Sequence, residues 1–191
     1  MKVILVGHPG SQQIIPASKY LTNKYLPGFD IRYLNHVGPK ENWSKFLAAY
    51  FRQLKDDFVI FALDDYLLSG SIDDKKYHQA LSEFGDRQVV SVKLCESTMQ
   101  EHFEYPVTTQ YMIWNRIFLI NLLDKTKDPW HFEITGSSLF AETGKYSILP
   151  FSPVLKYDVH SCLSARWPGV NFNGVKKEDL DYIKNNKLIN L

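Results

Sequence analysis

Short apolar runs alternate with segments that repeat apolar residues every three or four positions through the first half of the chain. The runs predict buried strands over residues 3–6, 31–34, 58–63 and 88–94. The segment over about 12–25 predicts a helix, and so does the segment that begins at Asn42, which carries its apolar residues on one face. Strands that alternate with helices in this way are typical of an α/β domain.

Ser71 and Asp74 resemble a capping pair at the start of a further helix. The second half of the chain is less regular. Residues 111–123 are apolar nearly all round, which predicts a buried helix, whereas 128–136 and 149–157 predict turns and short extended pieces.

The C-terminal segment predicts a helix over 179–187, with acids in its first turn and lysines in its last. The 191 residues are 45% hydrophobic and contain no repeat or linker, so we expect one sizeable core. A formal net charge of +1, without a basic cluster, argues against a nucleic-acid partner.

Cys95 and Cys162 form neither a paired framework nor a zinc-binding spacing, which predicts thiols in a reducing compartment. The apolar start of the chain is too short for a signal peptide. The most apolar longer stretch falls short of the roughly 20 residues that a membrane span needs. The sequence therefore predicts a soluble, cytoplasmic protein without a membrane span.

The most informative feature is the apolar run over 58–63, which ends in two adjacent carboxylates, Asp64 and Asp65. Open α/β sheets bind ligands at the carboxyl ends of their strands, and two acids there suit a divalent cation that carries a phosphorylated ligand. An exposed acidic turn is the alternative. Because neighbouring strand residues point to opposite faces, both acids serve one site only if the strand ends there and the chain turns.

The turn after the first strand, Gly7-His8-Pro9-Gly10, allows the backbone to approach a nucleotide. It lacks both the G-x-G-x-x-G pattern and a Walker-type lysine, so the dinucleotide and P-loop interpretations fail. A plain turn between strand and helix is the alternative interpretation.

Three further positions are candidates for chemistry. Glu133 stands among aromatic residues, and partial desolvation would suit it to general-base work. Packing in the core with the acid at its rim is the alternative. His160 is a candidate ligand for a manganese-like ion, and Arg166 is a candidate cation for a diphosphate leaving group. Trp130 offers a flat face for a sugar ring.

Four segments occur in order over roughly residues 3–167: Ala-Leu-Asp-Asp-Tyr-Leu at 62–67, Gln-Tyr-Met-Ile-Trp at 110–114 leading into Phe118-Leu119, Pro-Trp-His-Phe-Glu at 129–133, and 157–167. Together they resemble small glycosyltransferases of GT-A type, including those encoded by chlorella viruses and related bacterial polysaccharide enzymes. The resemblance implies a single GT-A (Rossmann-like) α/β domain over 1–191, with a mostly parallel or mixed sheet flanked by helices. A nucleotide-binding half would cover about 1–95, and an acceptor-side half about 96–191.

Such enzymes bind a nucleotide-sugar, most often a UDP-sugar, through Mn²⁺ or Mg²⁺. The resemblance implies that Asp65 is the direct metal ligand, with Asp64 beside it on the ribose or on a metal-bound water. The turn from Gly7 to Gly10 would line the nucleotide pocket. The motif here is Leu-Asp-Asp and not a spaced Asp-x-Asp, which leaves open which acid contacts the metal.

On the acceptor side the resemblance makes Glu133 the candidate base, and it places His160 and Arg166 near the diphosphate. The predicted function is metal-dependent transfer of a sugar from a UDP-sugar to a glycan or glycoprotein hydroxyl, in the cytoplasm, or in the host cytoplasm if the protein is viral. Two alternatives remain. A nucleotidyltransferase acting on sugar phosphates usually adds a lysine-rich phosphate loop. The other alternative is a non-catalytic module that binds a nucleotide or a sugar.

Overall fold

Five parallel strands and one antiparallel strand form the central sheet of the computed structural model. The structure describes residues 1–7, 11, 13–95, 106–148, 153–157 and 174–189. The strands are β1 (Lys2–Gly7), β2 (Asp30–Asn35), β3 (Phe58–Leu63), β4 (Leu68–Gly70), β5 (Val89–Lys93), β6 (Met112–Asn115), β7 (Tyr146–Ile148) and β8 (Lys156–Tyr157). The strands of the central sheet lie in the order β2-β1-β3-β6-β5-β7, and β4 and β8 form a separate antiparallel ribbon.

In the part of the chain that the structure describes, six α-helices flank the sheet: α1 (Ile15–Tyr25), α2 (Trp43–Arg52), α3 (Asp74–Ser82), α4 (Arg116–Leu123), α5 (Pro129–Ala141) and α6 (Lys177–Asn185). Short 3₁₀ helices cover Lys40–Asn42 and Glu83–Gly85. The α/β class and the mostly parallel mixed sheet flanked by helices are therefore confirmed. No helix in the described ranges has both the length and the apolar character needed to cross a bilayer.

The order of the first three strands positions the candidate site. The chain leaves β1 through α1 to reach β2, and then returns through α2 past β1 to reach β3. The chain thus leaves β1 toward one side of the sheet, while β3 lies on the other side of β1. β1 and β3 are neighbours that pair in parallel, from Lys2 with Val59 to Val6 with Leu63. In open α/β sheets a ligand crevice forms at the carboxyl ends of the strands at such a switch point.

A cluster of aromatic rings fixes the face of the sheet that α2 and α5 cover. The ring of Phe61 in β3 lies 6.1 Å from Trp43 and 5.9 Å from Phe51, both in α2, and 6.1 Å from Phe132 in α5. All four side chains are fully buried. Burial of each such ring contributes about 2–3 kcal/mol, so this packing holds α2 and α5 in place against β3.

The opposite face carries α1, to which the C-terminal helix α6 is tied by one buried acid. Asp179 of α6 accepts hydrogen bonds from the Tyr20 hydroxyl, from the Lys24 ammonium and from the Tyr25 hydroxyl. Tyr20 also stacks on Tyr182, with 4.3 Å between the ring centroids. The predicted terminal helix is thus confirmed, beginning at Lys177.

Two predictions for the second half of the chain were wrong. Residues 112–115 form β6, and the helix begins only at Arg116, where the Asn115 side chain accepts a hydrogen bond from the backbone N–H of Phe118. The turns expected over 128–136 are the first half of α5. Asp128 caps this helix by accepting from the N–H of His131, and Pro129 occupies its first turn.

Of the two helix caps predicted in the first half, one was misplaced and the other lies at the predicted residue without a capping bond. The N-cap of α3 is Asp73, which accepts from the N–H of Lys76, so the pair Ser71 and Asp74 does not cap it. Asn42 is the N-cap residue of α2, as predicted, but it is also the last residue of a 3₁₀ helix and its side chain makes no capping hydrogen bond. A short extended piece within 149–157 is confirmed as β8, while 149–152 lie outside the described residues.

Candidate functional site

The end of β3 is held on both sides. The backbone N–H of Asp64 donates to the Val6 carbonyl of β1 at 3.1 Å, and the N–H of Leu63 donates to the Thr109 carbonyl at 2.9 Å. The strand ends at Leu63, and a turn begins at Asp64 and Asp65. The condition under which both acids can serve one site, namely a strand end followed by a turn, is therefore confirmed.

Both acids are buried, which makes the alternative of an exposed acidic turn wrong: Asp64 is 1% exposed and Asp65 is 5% exposed. The Ser11 hydroxyl donates to Asp64 Oδ2 at 3.2 Å. A Cβ placed at Gly7 would lie 2.7 Å from the same oxygen, closer than side-chain atoms pack. Gly7 is therefore required because the Asp64 carboxylate lies directly against its backbone. His8, Pro9 and Gly10 lie outside the described residues.

Two tyrosines with buried hydroxyl groups, the half-buried Tyr33 and the fully buried Tyr111, share the space with these acids. Burial raises the pKa of the Tyr33 hydroxyl to about 12, and the negative charge of Asp64 adds to the rise. Burial also raises the pKa of Tyr111, and here the charges of both Asp64 and Asp65 contribute. Because both carboxylates act on one buried hydroxyl, they lie around the same space at the carboxyl edge of the sheet.

Sequence reasoning missed Ser11, Tyr33 and Tyr111 as parts of this site. Tyr33 belongs to β2, and Tyr111 stands immediately before β6. No local pattern marks either residue, because strand pairing alone brings them to Asp64.

The donor set fits a hard divalent cation. Carboxylate oxygens are the preferred ligands of Mg²⁺ and Mn²⁺. Across the described ranges no group of three or more His, Cys, Asp or Glu side chains could hold a metal ion. Mg²⁺ commonly takes only one or two protein carboxylates beside substrate phosphates, so a pair is a sufficient protein contribution. Asp64 and Asp65, held at the strand end with Gly7 leaving room for the carboxylate, supply that pair.

Glu133 is fixed through one of its two oxygens. Its Oε1 accepts hydrogen bonds from the Thr108 hydroxyl at 3.1 Å, from the Thr109 N–H at 2.8 Å and from the Thr109 hydroxyl at 2.8 Å. Its Oε2 makes no hydrogen bond to the described residues. The Thr109 carbonyl also accepts a hydrogen bond from the N–H of Leu63, so the hydrogen bonds of Thr109 link Glu133 to the end of β3.

The aromatic surroundings expected for Glu133 differ from those found. Trp130 is 73% exposed on α5, while Phe132 is fully buried in the core. The half-buried Glu133 is thus bounded by Thr108 and Thr109, and Trp130 presents its ring to solvent. His160 and Arg166 lie outside the described residues, so their assignments stay predictions.

The sequence matches no protein-family model, and no curated protein matches it. Among solved structures, the chain is similar to a glycosyltransferase involved in glycosylation of the major capsid of PBCV-1, at 14% identity with a TM-score of 0.48, covering 78% of this chain and 80% of that one. A cytidylyltransferase from Leptospira borgpetersenii is similar at 11% identity with a TM-score of 0.49, covering 98% and 95%.

The S. aureus protein TarS, solved in complex with UDP-GlcNAc, is similar at 10% identity with a TM-score of 0.47, covering 82% of this chain and 57% of that one. Glycosyltransferases, which the sequence resembles, thus occur among the structural neighbours of the chain, together with a cytidylyltransferase. Identities this low and TM-scores below 0.5 leave the activity to be inferred from the chain's own residues.

Proposed function

We propose that this protein is a metal-dependent glycosyltransferase that moves a sugar from a UDP-sugar to a hydroxyl of a glycan or glycoprotein acceptor. The observation that carries the proposal is the pair of buried carboxylates, Asp64 and Asp65, at the carboxyl end of β3 beside the switch point of the sheet. Buried acids at such a crevice suit a ligand that arrives with a divalent cation.

Asp64 and Asp65 would hold Mn²⁺ or Mg²⁺ in this proposal. A bound ion would supply Lewis-acid chemistry there, offsetting the negative charge of the departing nucleoside diphosphate. Ser11 and the backbone at Gly7 fix the position of the Asp64 carboxylate, so the acid is oriented before any ligand binds. Such preorganisation reduces the reorganisation that binding requires.

Glu133 is proposed as the general base if the reaction inverts the anomeric configuration. Its Oε1 is engaged by three donors, which fixes the carboxylate and leaves Oε2 to accept the proton of the acceptor hydroxyl. Trp130 lies one helical turn earlier on α5, and its exposed ring is proposed to stack on a sugar. If the configuration is retained, Glu133 has no role as a base. His160 and Arg166 keep their proposed roles near the diphosphate.

The decisive experiment measures UDP binding by isothermal titration with and without Mn²⁺, and then transfer from a panel of UDP-sugars. Asp65→Asn should abolish the Mn²⁺-dependent part of UDP binding and all transfer. Asp57→Asn is the matched control, because Asp57 is an exposed acid at the opposite end of β3. Equal Mn²⁺-dependent binding by wild type and Asp65→Asn would refute the metal site. Release of pyrophosphate from a nucleoside triphosphate and a sugar phosphate would instead identify a nucleotidyltransferase.

A further inference from the structure

Helix α5 exposes two large apolar side chains, more than any other helix that the structure describes. Trp130 is 73% exposed and Ile134 is 52% exposed. They lie four residues apart, so they occupy the same face of α5 in successive turns. A single exposed apolar residue is ordinary on a protein surface, but two neighbouring ones form an apolar patch that a ligand can cover. We call these two residues the α5 patch.

The α5 patch is continuous with the proposed base. Trp130 stands one turn before both Glu133 and Ile134, and side chains at such spacings have roughly 5–6 Å between their Cβ atoms. Helical side chains also lean toward the N-terminus of their helix, so Glu133 and Ile134 both lean toward the turn of Trp130. A sugar stacked on the indole ring thus has the carboxylate of Glu133 at one edge and the apolar side chain of Ile134 at the other.

The charge of α5 limits the class of sugar that suits this patch. Among the 13 residues of the helix, Glu133 is the only acid, and none is a lysine or an arginine. Thr108 and Thr109, which donate to Glu133 Oε1, are also uncharged. A carboxylate or phosphate on a sugar bound here would face the negative charge of Glu133 without a cation from α5 to offset it. An uncharged sugar meets no such repulsion, and the C–H groups on one face of its ring suit the electron-rich face of an indole.

We infer that the acceptor is an uncharged sugar, bound with one face on Trp130 and one edge against Ile134, so that its hydroxyl reaches Glu133 Oε2. The inference rests on the proposed function with inversion of configuration, and it adds the class of the acceptor and the role of Ile134. In the transfer, the acceptor oxygen bonds to the anomeric carbon of the donor and its proton passes to Oε2. The bond from that carbon to UDP breaks, and its electron pair leaves on the diphosphate.

The test compares sugars that differ in charge. The methyl glycosides of glucose, galactose and mannose are each paired with the methyl glycoside of the corresponding uronic acid. Their affinities are measured by NMR titration in the presence of UDP and Mn²⁺, and transfer to each is measured with a panel of UDP-sugars. Wild type should bind the neutral member of at least one pair about threefold or more tightly than the uronic acid. Trp130→Ala should weaken that binding about fivefold or more.

A lysine introduced at either of two exposed isoleucines separates the α5 patch from the rest of the surface. Ile134→Lys should shift the ratio of the two affinities toward the uronic acid by about threefold or more, because the new ammonium offsets the carboxylate. Ile117→Lys is the matched control, because Ile117 is 54% exposed on α4, outside the patch. Both variants should keep the wild-type melting temperature and the wild-type affinity for UDP with Mn²⁺.

The outcomes separate this inference from the proposed function. Equal affinity ratios in Ile134→Lys and Ile117→Lys would overturn the inference, and so would a wild type that binds the uronic acid of every pair as tightly as the neutral sugar or more tightly. Transfer from a UDP-sugar would in either case leave the proposed function standing. If wild type binds neutral sugars through Trp130 and Ile134 but transfers nothing, the proposed function fails and the sugar site stands. If wild type neither binds these sugars nor transfers to them, both fail.

Discussion

Two substitutions of Glu133 can separate the structural role of Oε1, which accepts three hydrogen bonds, from the proposed role of Oε2 as the base. Glu133→Gln keeps a carbonyl oxygen that can accept from Thr108 and Thr109, but it removes the negative charge and the basic oxygen. Glu133→Ala removes all three hydrogen bonds to Oε1. The two variants should therefore differ in stability while both lose the proposed chemistry.

The hydrogen bonds set the size of the stability effect. Bonds to an ionised group contribute about 1.5–3 kcal/mol each when buried, and Glu133 is half-buried, so the lower end applies. In Glu133→Ala, water can replace the carboxylate as the partner of the two threonine hydroxyls. The loss of stability then comes mainly from the Thr109 N–H, which is left without its acceptor. We expect Glu133→Ala to lower the free energy of unfolding by about 3 kcal/mol, which is roughly 6–12 °C in melting temperature for a chain of this size. Glu133→Gln should lower it by about 1 kcal/mol.

The assay combines thermal unfolding, UDP titration with Mn²⁺ and steady-state transfer to an acceptor. Glu133→Gln should reduce kcat by about 10²–10⁴-fold, the usual contribution of a general base, and leave UDP affinity unchanged. Glu133→Ala should also weaken Mn²⁺-dependent UDP binding, because Thr109 no longer holds the end of β3 as firmly. A wild-type kcat in Glu133→Gln would refute the role as base. A wild-type melting temperature in Glu133→Ala would refute the role in holding Thr109.

Two further predictions concern the surroundings of the site and the terminal helix. Gly7→Ala should lower the Mn²⁺-dependent affinity for UDP about tenfold or more, because its methyl group would lie 2.7 Å from Asp64 Oδ2. Gly85→Ala is the control, because a methyl group there meets open space and UDP binding should equal that of wild type. Equal UDP affinities of the two variants would contradict this prediction. Burial alone would raise the pKa of Asp179, but hydrogen bonds from Lys24 and two tyrosines outweigh burial and lower it. The stabilisation from Asp179 is therefore present above its unfolded pKa of about 4 and is lost as the pH falls through the folded value. In urea unfolding, Asp179→Asn should have a lower free energy of unfolding than wild type at pH 7, and this difference should disappear at acid pH. The control Asp181→Asn, at an exposed acid of the same helix, should show no difference. A difference for Asp179→Asn that does not change with pH would contradict the prediction.

The sequence predicts β1, β3 and β5 well, because these strands are buried on both faces and appear as nearly continuous apolar runs. The strand over 58–63 was placed at its observed bounds, and the strands of β1, β2 and β5 were within one residue at each end. Burial of Asp64 and Asp65 likewise follows from a strand that ends in acids at the crevice of an α/β sheet.

The second half could not be predicted in the same way, because its elements depend on partners distant in the chain. Residues 112–115 are as apolar as the helix that follows them, and only pairing with β3 and β5 makes them a strand. The start of α5 did carry a local signal, Asp128 followed by Pro129, which is a common helix start. Gly136 and the serines after it weaken the helical pattern there, and this obscured the signal.

The single antiparallel strand explains why the site could not be assembled from local patterns. In a wholly parallel sheet, only residues that follow strands reach the carboxyl edge. β6 runs the other way, so the segment that precedes it lies at that edge and brings Thr109 and Tyr111 beside the end of β3. Thr109 then joins both halves of the proposed chemistry, since its carbonyl binds Leu63 next to the acids while its N–H and hydroxyl bind Glu133. Thr109, which belongs to neither element, can thus fix the position of a base on α5 relative to metal ligands at the end of β3.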